Sequence, residues 1–88
     1  MIKLTASGAG GSAEGTVRDT NGVGLLPVQA QTDGTVFRVL GRVSPEAPWI
    51  EVKEPSAAAF LESISWVPYV RLEITSGAGT VALWVGEQ

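Results

Sequence analysis

Neither cysteine nor histidine occurs among the 88 residues. Without cysteine no disulfide can staple the fold, and without either residue a zinc site has lost its usual ligands. The absence of histidine removes the Ser-His-Asp and Cys-His nucleophile systems, and with them the side chain best suited to proton transfer near neutral pH. Basic residues are scarce and scattered (Lys3, Arg18, Arg38, Arg42, Lys53 and Arg71), and the net charge is −3. A nucleic-acid surface shows itself as a basic stripe, so no nucleic-acid partner is expected. No apolar run approaches the ~18–20 residues that span a bilayer, and Met1-Ile2-Lys3-Leu4-Thr5 lacks the apolar stretch of a signal peptide. These absences suit a soluble chain made in the cytoplasm, without a membrane partner.

The carboxylates Glu14, Asp19, Asp33, Glu46, Glu51, Glu54, Glu62, Glu73 and Glu87 remain as candidate chemistry. Two of them could form a glycosidase pair only across a cleft that holds a sugar, which a chain this short has little room to build. They are expected to be solvated surface charges, and a small hydrolase is a remote third reading. Gly8-Ala9-Gly10-Gly11-Ser12 has no following Gly-Lys-Ser or Gly-Lys-Thr and is not a phosphate loop. Asp19-Thr20-Asn21-Gly22 has oxygen donors, but the twelfth position of a calcium loop would be Ala30, so an Asn-Gly turn is expected. No catalytic, cofactor-binding or metal-binding residue is expected, and no cofactor.

What the sequence does contain falls into two zones. Residues 5–24 hold six of the eleven glycines, among Ser, Thr, Ala and Asn. Few apolar groups there offset the ordering entropy of the backbone. Residues 1–24 are therefore expected as a Gly-rich N-terminal arm and loops, either held by a partner or folded back on the chain's own sheet. Residues 25–88 are expected as a β-sandwich domain. Leu26, Val28 and Ala30 alternate, and Asp33-Gly34 marks a turn. Strands follow over 35–43, with Phe37, Val39 and Val43 on one face, and over 49–53. Ser56 to Ser63 is the single helical candidate, with Ser56 as its cap. Tyr69 to Thr75 places Val70, Leu72 and Ile74 inward, and Thr80 to Val85 is the last strand. The tetrapeptide Ser-Gly-Ala-Gly occurs at 7–10 and again at 76–79, as two similar turns. The fold class is all-β: a small β-sandwich or jelly-roll-like domain of six to eight short antiparallel strands. Its expected core is Phe37, Val39, Ile50, Val52, Val70, Leu72, Ile74, Val81, Leu83 and Val85.

Trp49, Tyr69 and Trp84 are out of phase with these aliphatic residues. If the aliphatics line the core, the rings point outward, unless a bulge flips the phase or a loop covers them. Outward aromatics suit an interface or a sugar-stacking platform. Trp49, Tyr69, Arg71 and Trp84 are therefore the candidate interface residues. Oligomerisation is the remaining route to extra buried surface for a small chain without disulfide or metal.

Phe37-Arg38-Val39-Leu40-Gly41-Arg42, Pro48-Trp49-Ile50-Glu51-Val52 and the run from Pro68-Tyr69-Val70-Arg71 through Ser76-Gly77-Ala78-Gly79 to Val81 resemble small tailed-bacteriophage virion proteins. The likeness covers residues 35–85. It implies a bacteriophage virion structural role: a capsid decoration (cement) protein on the capsid surface. It also implies a homotrimer, with the major capsid protein as partner. A tail or fibre-attachment component is the near alternative. A carbohydrate-binding module using surface aromatics is the alternative from another class.

Overall fold

The computed structural model describes residues 2–18 and 24–86. The strands among them are β1 (Ile2–Ser7), β2 (Ser12–Thr16), β3 (Leu25–Thr32), β4 (Val36–Arg42), β5 (Ile50–Ser56), β6 (Phe60–Ser65), β7 (Tyr69–Ser76) and β8 (Thr80–Val85). They form two antiparallel four-stranded sheets, ordered β1-β8-β3-β6 and β2-β7-β4-β5. We call these the β8 sheet and the β7 sheet. Strand β1 pairs with β8, β2 with β7, β3 with β6 and β4 with β5. That pattern is one long antiparallel ribbon rolled into a sandwich, the jelly-roll order.

At each bend of this ribbon two chain segments turn together. The first bend is made by the two Ser-Gly-Ala-Gly turns, one leading β1 into β2 and the other β7 into β8. They abut: the Gly8 N–H donates to the Gly79 carbonyl at 3.1 Å, and Ser7 pairs with Thr80. Gly8 and Gly77, the second residue of each turn, have φ of 80° and 94°, where a side chain would be strained. The repeated tetrapeptide is one corner written twice, once for each strand of the ribbon. The second bend joins β2 to β3 and β6 to β7. There the Trp66 indole N–H donates to the Arg18 carbonyl at 3.0 Å, and the Val17 N–H donates to the Pro68 carbonyl at 2.8 Å. Asp19-Thr20-Asn21-Gly22 lies outside the described residues. The third bend pairs the Asp33-Gly34 turn with residues 57–59. Asp33-Gly34 therefore joins two sheets instead of closing a hairpin.

Both sheets bury one face. Leu26, Val28, Ala30, Phe37, Val39, Val70, Leu72, Val81, Leu83 and Val85 are almost completely enclosed. Seven of these belong to the expected core, and Ile74, also buried, is the eighth. Two expected members lie outside it: Ile50 is 62 % exposed, and Val52 is only partly buried. Strand β5 is an edge strand whose register against β4 shifts twice, the first shift leaving Lys53 opposite Val39 and the second Glu51 opposite Leu40. Those irregularities carry β5 off the regular alternation. Val43 is also exposed, because β4 ends at Arg42.

One alternative is decided and one further expectation is corrected. Of the two expectations for the Gly-rich segment, folding back on the chain's own sheets is the one observed: it supplies β1 to one sheet and β2 to the other, and Leu4, Ala6 and Val17 are buried. In β2 the inward positions are Ala13 and Gly15, small enough for Ile2 and Leu4 of β1 to close over Gly15. A division at residue 24/25 thus separates strands that share one core. The helix over 56–63 is absent, and no helix occurs among the described residues. Ser56 does cap a turn, its Oγ accepting from the Ala58 N–H at 3.1 Å, but the chain then enters β6.

Candidate functional site

The four candidate interface residues do not come together. Tyr69 and Arg71 lie on β7 and Trp49 just before β5, all with the β7 sheet, whereas Trp84 lies on β8 in the other sheet. The rolled ribbon puts β7 and β8 back to back, so out-of-phase side chains on consecutive strands face opposite directions.

The outer face of the β7 sheet is a charge lattice. Arg38 donates from Nε and Nη2 to Glu73 Oε1 at 2.9 and 2.6 Å, and its Nη1 lies 3.5 Å from Glu51. The Glu73 hydrogen bond, more than any other factor, holds the Arg38 guanidinium further above its ordinary range. Arg71 lies between Glu14 at 3.7 Å and Glu73 at 3.4 Å. The Arg42 guanidinium sits 4.1 Å from the centre of the Trp49 ring and 5.8 Å from that of Tyr69. Both rings thus have a partner within the molecule, a cation over their π faces.

The outer face of the β8 sheet is built differently. Lys3, Trp84, Gln29 and Leu61 form one row across the four strands, and Thr5, Ala82 and Gln31 form the next. Lys3 is the only charge in these two rows. Its ammonium stands 5.1 Å from the centre of the Trp84 ring. Leu25 and Leu61 are exposed. Trp84 divides the face into two depressions. One, of about 570 Å³, is lined by Lys3, Gln31, Thr32, Asp33, Thr80, Ala82 and Trp84. The other, of about 170 Å³, is bounded by Pro27, Gln29, Leu61 and Gly86.

Comparison with known protein families, curated proteins and solved structures finds no match. The chemistry must therefore be read from the two faces themselves.

At the end of the larger depression, Asp33 ties the third bend to the first. Its Oδ1 accepts from Thr35 Oγ1 at 2.6 Å, and its Oδ2 from the Thr80 N–H at 3.4 Å. Thr35 Oγ1 in turn accepts from the Gly79 N–H at 3.1 Å. A Cβ at Gly79 would run into the Asp33 carboxylate. The Thr35 hydroxyl, followed by the Thr80 and Thr35 N–H groups, holds the Asp33 carboxyl below its ordinary range. The shift at Asp33 favours the carboxylate, the opposite of what a general acid needs, and the shift at Arg38 moves an already basic group further from neutrality. No cluster of three or more metal-ligating side chains occurs among the described residues.

Leu61 and the small-residue row through Ala82 were missed in the sequence. Leu61 stands three residues before Ile64, a spacing that sets the two on opposite faces of a strand but on one face of the helix that the Ala57-Ala58-Ala59 run suggests.

Proposed function

We propose that this chain is a structural protein of a tailed-bacteriophage virion, of the capsid-decoration kind, and that it assembles through the outer face of the β8 sheet. The observation that carries the reading is that face's composition: a half-buried tryptophan, two exposed leucines and amides, with almost no charge. Charged residues are depleted and aromatics enriched where protein interfaces are fully buried, and contiguous exposed apolar surface marks contact sites. The jelly-roll order agrees, since viral capsid domains commonly use it, although lectin domains do so too. In this reading the partners are copies of the chain, as a trimer, and the major capsid protein at the shell surface. Of the four candidate residues, Trp84 carries the contact, while Trp49, Tyr69 and Arg71 organise the opposite face.

Sedimentation velocity over a concentration series, paired with cosedimentation on head shells lacking decoration, tests this. Trp84→Ala should weaken association by about 2 kcal/mol, the scale of an interface hot spot. Leu61→Glu should abolish it with the melting curve unchanged. A wild-type chain that stays monomeric and ignores shells sinks the reading.

A further inference from the structure

The larger depression on the β8 sheet shares Trp84 with the proposed contact, but the polar groups that line the rest of it have a chemistry that the assembly reading does not use. Its floor is Ala82, whose small side chain lies two residues from Trp84 on one side and Thr80 on the other. Thr5 and Gln31 are its cross-strand neighbours on β1 and β3. Trp84 forms one end, and Asp33, Thr32 and Thr80 form the other. Lys3 and Gln31 flank it.

We infer that this depression, with Trp84 at one end and Asp33 at the other, is a binding site for a neutral oligosaccharide. The indole π system carries partial negative charge, and although Lys3 stands 5.1 Å from the ring centre, the ring also attracts the weakly positive C–H face of a pyranose. Sugar hydroxyls both donate and accept, and the lining supplies both functions. The Gln31 amide does each, Lys3 donates, and the Asp33 carboxylate, with about four acceptor sites, makes three bonds within the fold and keeps one for a sugar hydroxyl. One cation and one anion face the same space, so neither sign dominates. A phosphate would meet Asp33 and a metal cation would meet Lys3. The volume lies within the ~300–1,000 Å³ of small-molecule sites. The depression lies open on the sheet surface, which suits a sugar within a longer glycan. The inference does not rest on the assembly reading, because a monomer would present the same depression, and a contact made over Trp84 would compete with the sugar.

The test is an NMR titration of the full chain with cellohexaose, mannohexaose, chitohexaose and a linear galactan hexamer. At least one should shift the Gln31 and Ala82 amides and the Trp84 indole N–H. Ala82→Leu, which fills the floor, should weaken that binding ~10-fold or more, and Gln31→Ala ~3-fold, with melting curves unchanged. Lys3→Ala should leave a measurable affinity. No shift with any of the four at ~10 mM overturns the inference, as does binding that survives Ala82→Leu unchanged. Binding restricted to an added anionic glycan, heparin hexasaccharide, and lost in Lys3→Ala also overturns it. Leu61→Glu separates the two proposals: it should abolish assembly and spare this titration.

Discussion

Leu40 and Leu61 both point away from the interior, yet Leu40 is 3 % exposed and Leu61 is 73 % exposed. The difference lies in their neighbours. Leu40 lies opposite Arg71 on β7 and Glu51 on β5, with Arg38 and Arg42 on either side along β4. Long charged side chains lay their methylenes over apolar surface and keep their heads in water, so the arginines form a lid over it. Glu14, Glu51 and Glu73 tie those heads together. Leu61 has Gln29 beside it and Trp84 one strand further on, and no such lid. Around Leu40 the β7 face is covered within the chain, although Val43 and Ile50 at its edge are exposed, whereas the β8 face leaves Leu61 for something else to cover.

The sharpest way to break this contrast is to truncate both leucines. Leu40→Ala should cost about 2 kcal/mol, the lower end for a buried Leu-to-Ala change, because its cover is side chains and not a second sheet. Leu61→Ala should stay within about 0.5 kcal/mol, as exposed positions do. Urea midpoints at constant slope measure both, and equal midpoints would mean that the arginine lid does not hold in solution.

A smaller effect is expected from Glu73→Gln, which removes the carboxylate between Arg38 and Arg71. These side chains are partly solvated, so about 1 kcal/mol is expected, shrinking as salt is added. Arg42→Lys keeps the charge but loses the planar guanidinium over Trp49, at about 0.5–1 kcal/mol. Lys3→Ala on the other face should cost less than Arg42→Lys in the same denaturation series. A reversed order would place the stronger cation–ring contact at Trp84.

The smallest effect concerns pH. The Asp33 carboxyl is held below its ordinary range when folded, so its contribution is present above the unfolded carboxylate range near ~3.9 and is lost as pH falls through the lower folded value. Melting temperatures between about pH 5 and pH 2 should fall less steeply for Asp33→Asn than for wild type. Parallel curves would show that Asp33 does not link the two bends.

Much of the sandwich was legible in the sequence because strict alternation survives on inner strands of each sheet. Val70, Leu72 and Ile74 on β7, and Val81, Leu83 and Val85 on β8, are all buried. The alternation of β2 was present too, but its inward residues are Ala13 and Gly15, which carry too little apolar surface to stand out from a flexible segment. Ser56 to Ser63 misled for the opposite reason. Three alanines after a capping serine favour a helical turn locally, yet isolated helices this short are marginal, and pairing with β3 is worth more. Of the candidate site, the outward phase of the rings was readable and their grouping was not.

Alternation, turn residues and the missing cysteine and histidine determine by themselves an all-β chain, most of its core and the loss of several kinds of chemistry. Which strand lies beside which is a long-range matter. Side-chain phase is a local property of one strand, but which sheet a strand joins depends on how the ribbon rolls. Only the tertiary structure therefore set Trp84 apart from Trp49, Tyr69 and Arg71, gave Arg42 its two rings, and covered Leu40 while leaving Leu61 open.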